Sequence, residues 1–458
     1  MEDEPVDLSA AVLTALRGKL RGTIILPRDE AYATSRRVWN GAIDRRPAAI
    51  VICADAEDAS IAVRVAADHA LPLTVRGGGH NVAGRSIRDG ALLLDLSRLR
   101  QVEVNRDTRI ATVQGGATWR DVDSATAAAG LATTGGLVSS TGVGGFTLGG
   151  GAGWLMRKYG LACDNLHGAR IILGDGRFAR VSADDHADLY WGLCGGGGGF
   201  GIVTNFEFRL HSVSDVSAGL LIHRADDALA VLRTFRDFAE GAPDEFCGLA
   251  VIAHAPPLPF LDASWHGQPV VILALCWCGD RADGVRELAP LTGYGRPIAT
   301  HVGTMPYVQW QQMQDPGAPA GRWQYWKTAN FSRLDDGTLE SLAGTANELP
   351  TPQTEIHVQH LGGAVARVAS DQSAFAHRDA QYFVNLIGVT EPGGPIDALR
   401  ERIRALHARL SRDAMRTQLP NFSDPAESDD ACRLGALHAG RLAALRRHYD
   451  PAGILAGA

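Results

Sequence analysis

Apolar and polar residues alternate along the first half of the chain in short blocks that predict strands separated by helices. Residues 48–53 form a short apolar run, 56–70 carry apolar side chains at helical spacing, and 71–75 are extended again, which predicts a strand–helix–strand unit. A helix is predicted at 118–130, ending at a glycine that suits a left-handed cap. Further strands are predicted at 91–96, 110–114, 169–173, 177–181 and 201–210.

The second half of the chain has longer elements and fewer glycine clusters. Helices are predicted at 227–240, 396–410 and 431–448. Strands are predicted at 270–278, 323–331, 355–361 and 382–389. Because the composition changes near residues 212–218, we expect a first lobe at 1–215, a second lobe at 216–418 and a closing segment at 419–458. The pattern therefore predicts an α+β protein of two lobes.

The composition is that of a globular protein with many glycines. The 53 glycines of the 458 residues are concentrated in a few stretches without a repeat period, which indicates close backbone contact with a ligand. A formal charge of −7 argues against nucleic acid as a partner. The seven cysteines lack the paired spacing of a disulfide framework or a metal site. An acidic N-terminus without signal-peptide features, and no apolar run of about 18 residues, predict a cytoplasmic protein that does not span a membrane.

Two glycine-rich loops carry the candidate chemistry. The residues of interest in the first are Arg76, Gly77, Gly78, Gly79, His80, Asn81 and Ser86. The second loop, 134–153, is too glycine-rich and too apolar for an ordinary surface connection, and its residues of interest are Gly136, Ser140, Thr141, Gly144, Gly145, Thr147 and Gly153. A tight turn alone would explain three glycines in a row. Two such loops together favour a site where the backbone approaches a pyrophosphate and free N–H groups bind its oxygens.

A third segment, Lys158-Tyr-Gly-Leu-Ala-Cys-Asp-Asn165, places Cys163 shortly after the second loop. These segments resemble those of the berberine bridge enzyme-like flavin oxidases, a group within the vanillyl-alcohol oxidase superfamily, and the similarity extends over most of residues 20–210. The resemblance implies a PCMH-type FAD-binding lobe and an α+β substrate lobe with an antiparallel sheet. It also implies that FAD lies between the lobes and that the closing segment returns to the FAD-binding lobe.

The resemblance further implies how FAD is held. In the family the matching histidine bonds to the 8α-methyl carbon of the flavin and the matching cysteine to ring carbon 6, so these roles fall on His80 and Cys163. A cysteine at this position can also be an unbonded core residue. The glycine run at 196–201 satisfies a dinucleotide-binding fingerprint but precedes a strand instead of a helix, so that function is excluded. We expect 194–204 to contact the flavin, and the backbone N–H groups near Gly144, Gly145 or Val203 are the candidates to stabilise its reduced ring. We add Asn421 to the cofactor set.

The substrate side differs from the usual family pattern. Many members have a tyrosine as proton acceptor two residues before an asparagine near the C-terminus, whereas this chain reads Gln418-Leu-Pro-Asn421. Leu419 cannot accept a proton, so either another group is the base or the substrate loses a hydride without one. The candidates in the second lobe are Tyr325, Lys327, His357, Gln359, Tyr382 and Asn385. A residue of each of these types is more often a packing or hydrogen-bonded residue than a catalyst.

Three functions stay open at this point. An oxidase would remove a hydride from a small organic substrate and pass the electrons to molecular oxygen, which gives hydrogen peroxide. A dehydrogenase would use another electron carrier, although the small Thr141 at the expected flavin edge favours entry of oxygen. A flavin-binding protein without turnover is supported by Leu419 alone. The family acts on alcohols, amines, sugars and natural-product intermediates, and the sequence does not choose among them.

Overall fold

The structure is a computed structural model that describes residues 8–422 and 434–455. Its strands are β1 (Thr23–Ile25), β2 (Ala49–Ile52), β3 (Leu73–Arg76), β4 (Leu92–Asp95), β5 (Val102–Asn105), β6 (Ile110–Gln114), β7 (Leu131–Ala132), β8 (Leu166–Ile172), β9 (Phe178–Ser182), β10 (Ile202–Arg209), β11 (His211–Ser212), β12 (Asp215–Arg224), β13 (Phe246–His254), β14 (Pro269–Trp277), β15 (Ala299–Pro306), β16 (Trp323–Phe331), β17 (Glu355–His360) and β18 (Tyr382–Thr390). Its helices are α1 (Ala10–Arg17), α2 (Tyr32–Ser35), α3 (Ala56–Asp68), α4 (Trp119–Ala127), α5 (Val143–Leu148), α6 (Met156–Tyr159), α7 (Ala187–Leu193), α8 (Ala228–Gly241), α9 (Arg281–Thr292), α10 (Tyr307–Gln311), α11 (Asp336–Ala343), α12 (Ala364–Arg367), α13 (Ile396–Leu410) and α14 (Ala436–Tyr449). The predicted α+β class is confirmed. The start of the helix predicted at 431–448 lies outside the described residues.

The strands of the described ranges form separate sheets in the two halves of the chain. The first half has a sheet in the order β1-β2-β4-β3, a sheet in the order β5-β6-β10-β8-β9 and the short pair β11-β7. The second half has one antiparallel sheet of seven strands in the order β15-β12-β14-β13-β17-β18-β16. That sheet begins at Asp215, beside the boundary that we placed at 215. The division into domains stays a prediction.

The strand–helix–strand unit near the N-terminus forms because its sequence supplies both a cap and an apolar stripe. Asp55 caps α3 by accepting a hydrogen bond from the backbone N–H of Asp58. Alanine and valine side chains of α3 then pack on the buried strands β2 and β4. Since β3 and β4 run parallel, Arg76 at the end of β3 lies opposite Asp95. The first glycine-rich loop therefore starts at the carboxyl edge of a parallel pair, where ligands commonly bind.

The two faces of the seven-stranded sheet are buried by different partners. One face, here called the helix face, is covered by α8, α9, α11 and α13. The opposite face, here called the lobe face, belongs to the same apolar cluster as the second glycine-rich loop. Alternation along a strand assigns side chains to these faces, so Tyr325 and Trp326 point in opposite directions. The lobe face is where a site between the two halves can form.

The described C-terminal helix lies against the first half of the chain. The carbonyl of Tyr449 accepts a hydrogen bond from the N–H of Gly174 at 2.9 Å. Arg446 donates to the carbonyls of Gly196 and Gly198 at 3.1 and 3.2 Å. These bonds connect the chain end to the glycine run at 196–201. None of the helices in the described ranges is long and apolar enough to cross a membrane.

The contact between α4 and α10 buries a carboxyl group. Asp123 on α4 is 3% exposed, and Gln311 Nε2 on α10 donates a hydrogen bond to its Oδ2 at 3.3 Å. Burial raises the pKa of Asp123 to about 7, and the nearby charge of Asp315 adds to the increase, while the Gln311 hydrogen bond opposes it. The carboxyl is therefore neutral over most of the acidic range.

We expect the free energy of unfolding of the Asp123→Asn variant to fall less with rising pH than that of the wild type. A carboxyl whose pKa is higher in the folded than in the unfolded chain binds more protons when folded, so the free energy of unfolding falls between about pH 4 and pH 7. Asparagine does not ionise. Relative to the wild type, the variant should gain about 3 kcal/mol between pH 5 and pH 8. Urea unfolding of both proteins at the two pH values measures this change.

Asp121→Asn on the same helix is the matched control. Although partial burial acts in the other direction, hydrogen bonds from Arg100 and Thr118 lower the pKa of Asp121. Its contribution is complete above about pH 4 to 5, so this variant should lose the same stability at pH 5 and at pH 8. Parallel pH profiles for the wild type and Asp123→Asn would contradict the prediction.

Candidate active site

The two glycine-rich loops meet backbone to backbone. A Cβ atom added to Gly78 would lie 2.4 Å from the backbone nitrogen of Gly142, and one added to Gly142 would lie 2.3 Å from that of Gly78. Only glycine fits at both positions. Gly77 is similarly close to a carbonyl, since its added Cβ would lie 2.9 Å from the oxygen of Gly115. This contact brings the end of the first loop to residues 139–142 of the second.

His80 is held between the two loops. Its Nε2 forms a hydrogen bond with Ser140 Oγ at 2.8 Å. Its ring stacks on the indole of Trp39, with 4.7 Å between centroids and an angle of 20° between planes. Burial lowers the pKa of His80 to about 4, against the opposing charge of Asp315. The imidazole is therefore neutral at physiological pH, the form that a nucleophilic nitrogen requires.

Arg76 supports the first loop through the fold. Its guanidinium forms a buried ion pair with Asp95 at 2.6 Å and donates to the carbonyl of Arg37 at 3.0 Å. Removing either partner of a buried pair leaves an uncompensated charge. We interpret Arg76 as fixing where the loop begins, and its place in the cofactor set stays a prediction.

Asn421, far from the second loop in the sequence, forms hydrogen bonds to it. Its Nδ2 donates to the carbonyls of Gly145 and Phe146 at 3.2 and 3.0 Å, and its Oδ1 accepts from the N–H of Gly151 at 3.0 Å. The carbonyl of Asn421 also accepts a 3.5 Å hydrogen bond from Asn81. One amide thus satisfies three backbone groups of a loop that has little regular structure of its own.

Cys163 is in contact with the second glycine-rich loop. It belongs to a 3-10 turn, Ala162–Asn165, and its N–H donates to the carbonyl of Gly150 at 3.0 Å. Burial and the adjacent Asp164 raise the pKa of the Cys163 thiol well above its usual value. Arg378, which forms hydrogen bonds to both carboxylate oxygens of Asp164 at 2.6 and 2.7 Å, acts in the opposite direction. The thiol is therefore neutral in the surroundings that the protein itself provides.

Two hydroxyls of the predicted cofactor set are buried without a partner. Ser86 Oγ and Thr147 Oγ1 make no hydrogen bond within the described residues. Buried hydroxyls are normally bonded, so a polar ligand at this site would satisfy them. Gly144 and Gly145 lie in the first turn of α5, where N–H groups have no acceptor inside the helix. Space next to Gly145 is open, since no atom of the described residues outside its own helical turn lies within 4 Å of an added Cβ. These features fit the phosphates and hydroxyls of FAD.

The remaining predicted cofactor residues make hydrogen bonds or packing contacts within the protein. The carbonyls of Gly136 and Thr141 accept hydrogen bonds from Gln311 and Trp119 at 3.3 and 3.0 Å. Gly153 packs on Gly135, whose carbonyl oxygen lies 1.9 Å from its added Cβ. Gly79 has a φ of +64°, which lets the chain turn into His80. Val203 is buried in β10 and pairs with Ile171 of β8.

Three of the predicted catalytic side chains point away from His80. Tyr325 belongs to the helix-face cluster, and its hydroxyl accepts a hydrogen bond from Arg404 Nε on α13 at 3.0 Å. Lys327 shares that face by alternation. Tyr382 also lies in the helix-face cluster and donates to the carbonyl of Arg236 at 3.5 Å. The sequence showed that Tyr325 and Lys327 share a face but not which face, so we leave all three out of the proposed catalytic set.

The lobe face carries the other candidates in two polar rows. In the first row, Thr328 of β16, Asn385 of β18 and His357 of β17 lie side by side. In the second row, Asn330 and Gln359 flank Phe383.

Four members of these rows are at least nine-tenths buried and have an unsatisfied polar atom within the described part of the chain. They are Thr328 (Oγ1), Asn330 (Oδ1), Gln359 (Nε2) and Asn385 (Oδ1). Sequence reasoning missed Thr328 and Asn330. The available signal was that Thr328 and Asn330 alternate with the apolar Ala329 and Phe331 at the end of the strand.

A series of aromatic contacts connects His80 with these rows. Trp39 meets Trp326 edge to face at a centroid distance of 5.8 Å, and Trp326 stacks on Phe422 at 6.0 Å. Phe422 in turn stacks on Phe383 at 5.2 Å. Because Trp39 also contacts His80, the histidine and the lobe face border one region. The structure thus groups His80 with Ser140, and a series of aromatic rings links this group to the rows that hold Gln359 and Asn385.

Comparisons with known proteins agree with this geometry. Residues 47–182 match the family described as FAD binding domain. Glucooligosaccharide oxidase of Sarocladium strictum is 37% identical over 76% of this chain and 72% of its own length.

Two solved structures share the fold. Glucooligosaccharide oxidase from Acremonium strictum, studied for its 6-S-cysteinyl, 8α-N1-histidyl FAD, has a TM-score of 0.85 at 23% identity over 97% of each chain. A wild-type berberine bridge enzyme-like protein of Physcomitrella patens has a TM-score of 0.86 at 19% identity over 97% of each chain. On the matched domain and the similarity to glucooligosaccharide oxidase, the chain belongs to the FAD-linked oxidoreductases with a PCMH-type FAD-binding domain, and it shares its fold with the berberine bridge enzyme-like protein.

Proposed function

We propose that the protein is an oxidase that carries FAD covalently, removes a hydride from a small organic substrate and delivers the electrons to molecular oxygen, with hydrogen peroxide as product. The neutral imidazole of His80, held where the two glycine-rich loops meet, is the observation that carries the proposal. When bound, FAD would supply the hydride-accepting and oxygen-reducing chemistry. The protein's own residues bind it, orient the substrate and manage the protons.

His80 is the proposed site of the first covalent bond. Its Nε2 is engaged by Ser140, whereas Nδ1 has no hydrogen-bond partner among the described residues. A neutral ring with one free nitrogen can act as a nucleophile. The histidyl linkage of the solved glucooligosaccharide oxidase supports this role.

Cys163 is the proposed site of the second bond. The backbone hydrogen bond of Cys163 to Gly150 and the cysteinyl linkage of the same oxidase support this assignment. The reactive form of cysteine is the thiolate, and burial raises the pKa of this thiol. We therefore propose that the Cys163 bond forms more slowly at neutral pH than the His80 bond.

The lobe face is the proposed substrate surface. Thr328, Asn330, Gln359 and Asn385 are uncharged donors and acceptors with unsatisfied atoms. A surface of this kind suits an uncharged substrate that has hydroxyl or amine groups beside apolar area, because Phe383 lies within the same rows.

Proton removal falls to a residue other than the family's tyrosine. Leu419 is buried at that position and cannot accept a proton. His357 lies in the row of Asn385, and its Nε2 pairs with Glu355 Oε2 at 2.7 Å. A histidine oriented by a carboxylate is a common general base, and we propose His357 for this task.

The test combines a substrate screen with variants of the lobe face. Sugars, aromatic alcohols and cyclic amines are added without oxygen, and a true substrate bleaches the flavin absorbance. Admitting air should restore the colour and give one hydrogen peroxide per substrate. Recovery that requires an added electron carrier would assign the protein as a dehydrogenase, and no bleaching by any compound would overturn the proposal.

With a substrate in hand, we expect Gln359→Leu and Asn385→Leu to lower kcat/KM by about tenfold or more with unchanged flavin content, because each removes a hydrogen-bonding group from the site. Gln353→Leu, at an exposed position just before β17, is the matched control and should leave kcat/KM unchanged. Equal activity of all three variants would remove the lobe face from the proposed site.

A further inference from the structure

We propose that Ser140 and Trp39 are positioning residues that hold the His80 imidazole in the tautomer and orientation needed to form its bond with FAD. The inference rests on the proposed covalent attachment and adds the residues that prepare the nucleophile. Neither residue needs to contact the reacting carbon.

A hydrogen bond fixes the Nε2 side of the His80 ring. Ser140 Oγ lies 2.8 Å from Nε2, and we assign the ring proton to Nε2 with the serine oxygen as its acceptor. The lone pair then resides on Nδ1, which has no partner among the described residues. A histidine with this proton arrangement attacks through Nδ1.

The segment that carries Ser140 is itself fixed by hydrogen bonds. The neighbouring Ser139 donates its N–H to Asp315 Oδ1 at 2.7 Å and its hydroxyl to Asp315 Oδ2 at 2.5 Å. Arg120 bonds both groups, with 3.1 Å to Ser139 Oγ and 3.1 Å to Asp315 Oδ2. The Ser140 hydroxyl therefore extends from an anchored backbone although the residue itself is exposed.

The indole of Trp39 provides the surface on which the His80 ring stacks. Trp39 is 6% exposed, and its indole Nε1 donates to the carbonyl of Ala318 at 3.1 Å. Its backbone N–H donates to the carbonyl of Gly79 at 3.1 Å, and its own carbonyl accepts from the N–H of Gly321 at 2.8 Å. One hydrogen bond of the indole and two of the backbone thus hold Trp39, against which the imidazole lies. A ring held on one face and at one nitrogen has little freedom to turn.

The attachment reaction that these residues would promote conserves atoms and electrons. A bond forms between His80 Nδ1 and the 8α carbon, and that carbon loses one proton. His80 Nε2 releases the second proton towards Ser140. The two electrons pass through the bound FAD to molecular oxygen, the oxidant of the proposed reaction, and the product is hydrogen peroxide.

The experiment measures the rate at which FAD becomes covalently attached. Protein made in riboflavin-limited cells is mixed with FAD in air, and the flavin that stays with acid-precipitated protein is measured, with the His80 peptide checked by mass spectrometry. We expect Ser140→Ala to slow attachment by about tenfold. Ser140→Thr, which keeps the hydroxyl, should restore the rate, whereas a purely structural defect would not be rescued in this way.

Trp39 is tested with two variants of different shape. Trp39→Phe keeps an aromatic face and should attach FAD near the wild-type rate, whereas Trp39→Leu should slow attachment by about tenfold. Binding of FAD before acid treatment is measured in parallel, so that loss of fold is distinguished from loss of positioning. Ser97→Ala, an exposed serine of the same half, is the control.

Two outcomes separate this inference from the proposal on which it rests. If the wild-type protein attaches no FAD at all, the proposed covalent function fails. If the wild type attaches FAD and Ser140→Ala and Trp39→Leu do so at the same rate, only the positioning role is overturned.

Discussion

Replacing both His80 and Cys163 with alanine is expected to yield a protein from which acid releases all of the FAD. Each single variant should keep its flavin through the other residue, because the two proposed bonds leave from different loops. Precipitation with acid, followed by fluorescence of the pellet and mass spectrometry of the two peptides, measures the retained fraction. This is the largest change we expect from any replacement, from complete retention to none.

The single variants also decide whether the second bond exists. Complete release from His80→Ala alone would mean that Cys163 is an unbonded core residue, in agreement with its buried, neutral thiol. Cys53→Ala and His69→Ala are matched controls in the same half of the chain, and both should retain flavin fully. Release of all FAD from the wild-type protein would contradict covalent attachment altogether.

Arg378→Met is expected to destabilise the protein by about 3–5 kcal/mol, since it leaves the carboxylate of Asp164 buried without its cation. The side chains of both partners are less than one-tenth exposed, and Arg378 also donates to Ser373 Oγ at 2.7 Å. The pair joins the segment just before β18 to the turn that contains Cys163. Urea unfolding of the FAD-loaded protein measures the loss.

An exposed arginine nearby provides the comparison. Arg367 pairs with Asp244 but its side chain is 61% exposed, so Arg367→Met should change the free energy of unfolding by no more than about 1 kcal/mol. Combining Arg378→Met with Asp164→Asn should recover part of the loss, because no charge then stays buried. Equal effects of the two arginine replacements would show that the buried pair contributes little.

Much of the fold followed from local patterns. The strand predicted at 323–331 and the helix predicted at 396–410 have these same bounds in the structure. The helix predicted at 118–130 ends earlier, at Ala127, and Gly130 has the expected left-handed conformation with a φ of +69°. Three strands of the large sheet, β12, β13 and β15, were missed. β12 and β13 are buried on both faces and lack alternation, and β15 is a largely polar edge strand.

The sequence by itself predicted two glycine-rich loops that come close to a ligand, because glycine has no Cβ to obstruct the approach. The family resemblance added the expectation that His80 and Cys163 bond to a flavin. Only the tertiary structure decided what surrounds them. Trp39 reaches His80, and Arg378 reaches Asp164, across long stretches of chain that no local pattern connects. Alternation in β16 separates two faces, but both are buried. The helices of the second half cover one face, and the other face packs on the first half of the chain. This choice depends on the packing of the whole chain.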